Sequence, residues 1–202
     1  MANAIKIYGT PLSQNVRKPL AVAAHLGIPV ECAPVRPMDP VVKEKYPCGR
    51  IPFLEDGAAI LGESNAIMIH LAGKTKNDLY PEDRARRDLV NQWLFWDVAH
   101  WTPAYQPIQF ERLVKGMLGM GAPDEKVVAA TMEKFRREAG YLDSALEGRQ
   151  WLVGDAPTLA EFAVGAGLTH AKGMDLPLGD YPNVAAWNAR VMGLEGFRKT
   201  AG

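Results

Sequence analysis

The sequence predicts two domains of different class, a small α/β domain over residues 1–76 and an all-α helical domain over residues 84–202. Strand signals bounded by Gly and Pro alternate with helical ones through the first part. Beyond residue 83 no convincing strand appears. Between the two, residues 74–83 are polar, contain Pro81 and read as the linker.

Taken in order, residues 5–8 alternate apolar and polar before Gly9 and Pro11, which reads as a first strand ending in a loop. Val16, Leu20, Ala23 and Ala24 then fall at helical spacing, stopped by Gly27 and Pro29. Pro19 conflicts with that helix, because it removes a backbone donor. The expectation is a start near Val16 or an irregular first turn. Residues 30–35 fit a second strand, and 41–45 a single helical turn in a proline-punctuated stretch. Residues 53–55 and 58–61 flank Asp56-Gly57, a hairpin signal. Ser64 opens a helix to about residue 74. The order β-α-β-(turn)-β-β-α is that of a thioredoxin-like domain.

The second part opens with an amphipathic helix over 83–106. Leu89, Trp93, Trp96 and His100 share one face, with Leu94 and Trp101 beside it. Pro103 and Pro107 are expected to bend or break it, and 116–123 is a glycine-rich connection. Further helices are expected over 125–146, 158–170 and 183–194. The first of these carries Val128, Met132, Phe135, Ala139 and Leu142 on its apolar side.

Composition limits the function classes. The 202 residues carry 23 Lys plus Arg and 23 Asp plus Glu, a formal net charge of zero. Such a chain has no general pull on nucleic acid or an anionic membrane. The short run Arg84-Ala85-Arg86-Arg87 reads as a solvated helix face. Cys32 and Cys48 form no C-x-x-C pair, and the four histidines are scattered, so neither redox nor metal chemistry is indicated. No secretory signal or membrane span is read, and a cytoplasmic protein is expected.

Three phrases carry the chemistry: Gly9-Thr10-Pro11-Leu12-Ser13-Gln14-Asn15, Gly49-Arg50-Ile51-Pro52-Phe53-Leu54-Glu55-Asp56-Gly57, and Gly62-Glu63-Ser64-Asn65-Ala66-Ile67. Ser13 stands where a strand passes into a helix. Exposed N–H groups and the helix dipole there favour an anion, and a hydroxyl can donate to it. Equally, a serine so placed can be a plain N-cap. Pro52 enters a strand. Glu63-Ser64 opens a helix, with Ser64 as the expected N-cap.

In order and spacing the three phrases resemble the glutathione-binding domain of the glutathione S-transferase superfamily, in its serine-type, theta- or phi-like form. That resemblance implies that Ser13 activates the thiol of glutathione, with Asn15, Thr10 and Tyr8 as rivals. It implies a cis Ile51-Pro52 bond whose turned backbone pairs with the tripeptide. Arg50 would stand near the glycine end. Ser64 and Glu63 would take the carboxylate and ammonium of the γ-glutamyl end. Leu12, Trp96, His100 and Tyr105 would line the co-substrate pocket, although aromatic residues at helical spacing also suit a core. Thr158-Leu159-Ala160-Glu161 matches the family's capping motif with Glu in place of Asp, a folding role.

The activity implied is glutathione transfer to a hydrophobic electrophile in detoxification. Peroxidase, dehalogenase or isomerase chemistry on the same site is the alternative, and a non-catalytic binding or regulatory protein is a third reading. Glutathione would be a co-substrate, with no permanently bound cofactor and no metal. A homodimer is implied.

Overall fold

In the computed structural model, which describes residues 4–200, the chain forms two compact units. One runs from the start of the described chain to Arg87 and takes in Met192 to its end; the other is Asp88–Val191. The first unit holds strands β1 (Ile5–Tyr8), β2 (Val30–Ala33), β3 (Phe53–Asp56) and β4 (Ala59–Gly62). Its helices include α1 (Gln14–Leu26), α2 (Pro40–Lys45) and α3 (Ser64–Ala72). The sheet order is β2-β1-β3-β4. β1 and β2 are parallel, and the other two pairings are antiparallel.

Alternation along the strands gives the sheet two apolar faces. Ile7 and Leu54 pair across β1 and β3 and are fully buried. Their neighbours Tyr8 and Phe53 also pair, stacked 4.3 Å apart with rings 4° from parallel, and pack with Val42 of α2.

α1 starts at Gln14, earlier than the expected Val16, and continues through Pro19. Proline costs that helix one hydrogen bond, to the Asn15 carbonyl. The helix is held by burial of nine of its residues instead. A fourth helix of this unit had no signal in the sequence reading: α11, Glu195–Lys199, packs on α1. The residues after 191 therefore belong with the α/β unit, whereas the sequence boundary at 84 had left them with the helices. Gly196 makes the approach possible, since a Cβ there would collide with the Ala21 carbonyl oxygen and lie 2.9 Å from its carbon. Arg17 completes the joint. Its Nη2 donates to the Phe197 carbonyl at 3.1 Å and its guanidinium lies 5.6 Å from the Phe197 ring centre.

The second unit is helical. α4 (Arg84–Trp96) continues through a π-helical turn at Asp97–Trp101 into α5 (Thr102–Gln109). A second π turn at Phe110–Val114 leads to α6 (Lys115–Met117). Pro103 and Pro107 thus do not break the helix. The first widened turn lies just before Pro103, on the side where the ring and missing donor of a proline conflict with α geometry, whereas the second follows Pro107 and does not relieve it. α7 (Glu125–Ala145) packs along α5, followed by α8 (Leu159–Ala166), α9 (Ala171–Met174) and α10 (Pro182–Met192). Trp101, Tyr105, Phe135, Phe162 and Trp187 are its largest fully buried side chains. Thr158 and Glu161 form the expected capping box at α8.

Candidate functional site

The serine turn is built by a close packing. Gly9 has φ +151°, and a Cβ there would lie 2.5 Å from Cγ2 of Val16. Only glycine lets Val16 of α1 sit so near the end of β1. Gly9 N–H donates to Ala33 O at 2.9 Å, and Ser13 N–H to Thr10 O at 2.9 Å, which closes the loop. Ser13 is the N-cap residue of α1: its carbonyl accepts from Val16 N–H at 3.0 Å and Arg17 N–H at 2.9 Å. Its side chain, however, makes no capping hydrogen bond. The plain N-cap reading therefore fails for the hydroxyl, which belongs to a half-exposed residue at the positive end of a 13-residue helix. Thr10 and Asn15 are likewise half-exposed in this turn.

Tyr8 faces elsewhere. Its hydroxyl donates to Glu55 Oε2 at 2.7 Å, and Lys45 Nζ donates to the same oxygen at 2.9 Å. The bond to Glu55 and burial hold its phenol above the ordinary range. It belongs to the α2 face of the sheet, so it is poorly placed to serve the turn beside Ser13. A polar cavity of about 320 Å³ adjoins this cluster, lined by Lys6, Tyr8, Lys45, Glu55 and Gly57 but by none of Ser13, Arg50, Ile51, Pro52, Glu63 or Ser64.

The Ile51-Pro52 peptide is cis, immediately before β3. Pro52 is buried, and Arg50 is exposed beside it. Glu63 adopts φ +60°, ψ +114°, an unusual conformation for a non-glycine residue. Here one expectation is corrected by a single position: Glu63 is the N-cap residue of α3, and Ser64 is the first helical residue. The positive φ at Glu63 turns the chain before Ser64, so the helix starts with the serine inside it. Ser64 is buried, and Glu63 is exposed with its side chain not used in capping. Sequence reasoning missed Tyr46, whose ring lies over Gly62 directly before Glu63. A glycine ending a strand is the signal for such an approach.

The co-substrate residues divide between the units. In the first, Leu12 is 57% exposed in the serine turn. In the second, Trp96 is half-buried and stacks on Trp101 with centroids 5.5 Å apart, while His100 is exposed. Tyr105 departs from expectation: it is a fully buried core residue. Its hydroxyl is 3.2 Å from Thr102 Oγ1, its ring meets Trp101 edge-on, and Gly167 leaves room for it. Burial and the charge of Asp97 push its pKa far up. Among the described residues no cluster suited to a metal ion occurs, and no helix is long and apolar enough to cross a membrane.

Residues 7–78 match the family model for the glutathione S-transferase N-terminal domain, and residues 99–195 the model for its C-terminal domain. The chain belongs to the glutathione S-transferase family. Among its relatives, a probable glutathione S-transferase of Oryza sativa subsp. japonica is 31% identical over 98% of this chain and 95% of its own length. Glutathione S-transferase 3 of Zea mays is 33% identical over 97% of this chain and 92% of its own. Among solved structures, glutathione S-transferase I from mais in complex with an atrazine glutathione conjugate superposes with a TM-score of 0.88. It is 28% identical and covers 98% of this chain and 96% of its own. The architecture and family membership drawn from the three phrases are thereby established.

Proposed function

We propose that this chain is a glutathione transferase in which the Ser13 hydroxyl donates a hydrogen bond to the thiolate of glutathione. The observation that carries this assignment is the N-cap serine whose side chain does not cap. A hydroxyl left over at a helix N-terminus, with a helix dipole behind it, suits an anionic sulfur. The tripeptide lies along the cis Ile51-Pro52 segment, whose backbone pairs with it as an added strand. Ser64 and the start of α3 take the γ-glutamyl carboxylate, Glu63 takes its ammonium, and Arg50 stands near the glycine end. Thr10 and Asn15 are secondary donors in the turn.

In the reaction the thiol proton leaves to solvent. The sulfur lone pair forms a bond to an electrophilic carbon, and a leaving group such as halide departs with its bonding electrons. Leu12, Trp96 and His100 are the residues assigned to the electrophile. Glutathione is consumed as co-substrate, with no resident cofactor. The active species is a cytoplasmic homodimer, the form the family resemblance implies.

Calorimetric titration with glutathione, followed by turnover of an aryl halide, tests this. Saturable one-site binding and thioether formation are expected. Turnover of a peroxide without thioether formation would move the assignment to a peroxidase, and absence of binding would leave a non-catalytic member of the family.

A further inference from the structure

We infer that Tyr46 is a positioning residue for glutathione, setting the γ-glutamyl end of the site relative to the cis-proline end. This rests on the glutathione assignment above and adds a residue that lies in none of the three phrases. Tyr46 follows α2 as its C-cap, with its N–H on the Val42 carbonyl at 2.7 Å. Its ring packs on Phe53, centroids 5.8 Å apart and 27° from parallel. Phe53 directly follows cis Pro52 and pairs across the sheet with Gly62. At Gly62 the ring occupies the space of the missing side chain: a Cβ there would collide with the phenol oxygen and Cζ and lie 2.9 Å from Cε1. One half-buried ring therefore touches both strands that lead into the site, β3 after Pro52 and β4 before Glu63.

What it holds is a conformation that needs holding. Glu63 sits at φ +60°, which a residue with a side chain avoids unless its surroundings impose it. With Tyr46 against Gly62, the β4–α3 corner has a rigid wall on one side. The ring's own position is fixed by a closed segment: Gly49 N–H donates to Tyr46 O at 2.8 Å, and Met38 N–H to Gly49 O at 2.9 Å. Electrostatics support the placement. Burial raises the phenol pKa first, then the neighbouring Cys48 thiol and the Glu63 carboxylate, while Arg50 lowers it.

The test compares Tyr46→Ala, Tyr46→Phe and Gly62→Ala in the full chain, using glutathione and cysteinylglycine as alternative thiols. For Tyr46→Ala, KM for glutathione is expected to rise about tenfold, with kcat at saturation and KM for the electrophile within about twofold of wild type. Tyr46→Phe keeps the ring and is expected to restore the wild-type KM. Gly62→Ala displaces the ring without removing it and is expected to raise KM as Tyr46→Ala does. Cysteinylglycine lacks the γ-glutamyl group, so its KM is expected to be unchanged in all three. In a Glu63→Ala background, Tyr46→Ala is expected to add little. An equal KM increase for both thiols, or a loss confined to kcat, overturns the inference, as does a wild-type glutathione KM in folded Tyr46→Ala. Should Tyr46→Ala not fold, Gly62→Ala decides by the same comparison of thiols. Failure of the wild type to bind glutathione sinks the underlying assignment instead and is recognised before any variant is made.

Discussion

Replacing Ser13 with alanine separates its two possible contributions. As a donor to a thiolate, the hydroxyl contributes about 1.5–3 kcal/mol, the range for hydrogen bonds to charged groups. At 1.36 kcal/mol per unit, its loss raises the bound thiol pKa by about 1–2 units. With an activated thiol near pKa ~6.5, two units below the free value, about three-quarters is ionised at pH 7. A rise to ~7.5 lowers the ionised fraction about threefold, and a rise to ~8.5 about 25-fold. The expected fall in kcat/KM at pH 7 is therefore about 3- to 25-fold, shrinking towards unity above about pH 9 as both thiols ionise. As a cap, by contrast, serine stabilises a helix by about 1 kcal/mol, which in a protein of this size is a thermal midpoint shift of about 2–4 °C. Because the side chain makes no capping bond, Ser13→Ala is expected to shift the midpoint by less than about 2 °C. Ultraviolet titration of bound glutathione and thermal unfolding read the two effects separately. A lowered midpoint with an unmoved thiol pKa would falsify the assignment and return Ser13 to capping, leaving Asn15 or Thr10 as the donor.

Three further substitutions probe the frame around the site. Gly9→Ala forces a Cβ to 2.5 Å from Val16 Cγ2 at φ +151°; it is expected to cost at least about 2 kcal/mol in urea unfolding, and an unchanged midpoint contradicts the packing account. Glu161→Gln replaces an acceptor of Leu152 N–H and of Thr158 N–H and Oγ1–H. One amide must turn a donor towards a donor, costing about 1–3 kcal/mol while the folded fraction keeps its KM for glutathione. Burial raises the Glu161 pKa despite the hydrogen bonds it accepts, so stability falls as pH rises from the unfolded pKa through the folded one. Glu161→Gln loses that slope, and an identical slope in both proteins refutes the burial argument. Glu55 has the opposite sign: Tyr8 and Lys45 depress its pKa below 4.5, so its contribution is present above that value and lost as pH falls through the folded pKa. The stability difference between wild type and Glu55→Gln is therefore expected to narrow on acidification, and a difference independent of pH would show that Glu55 is not held ionised by these partners.

Local signals carried most of the first unit. Gly9, Pro29, Asp56-Gly57 and Gly62 punctuate the strands, and each reflects a backbone demand that only a few residue types meet. Candidate ligand positions at Ser13, Ile51-Pro52 and Glu63-Ser64 were legible because each sits at the end of an element. Long-range features were not. Tyr46 over Gly62 depends on how α2 closes against the sheet, and the bond from Tyr8 to Glu55 depends on strand register. Tyr105 illustrates the limit on helices, since periodicity shows that it lies on an apolar face but not whether that face meets a pocket or Gly167. The π turns were hidden for a related reason: prolines announce a conflict with α geometry without saying whether the chain breaks or widens.

The docking of α11 on α1 has a consequence for how the chain acquires its fold. Arg17 and the Phe197 carbonyl it binds are separated by 180 positions, and the whole helical unit lies between them. In connectivity the helical unit is an insertion within the α/β unit. Closing so long a loop in an unfolded chain carries a larger entropic cost than any hairpin contact. Compaction of residues 88–191 shortens the effective span and lowers that cost. Accordingly α1, which begins at Gln14, is expected to gain α11 as a neighbour only after the insertion has compacted.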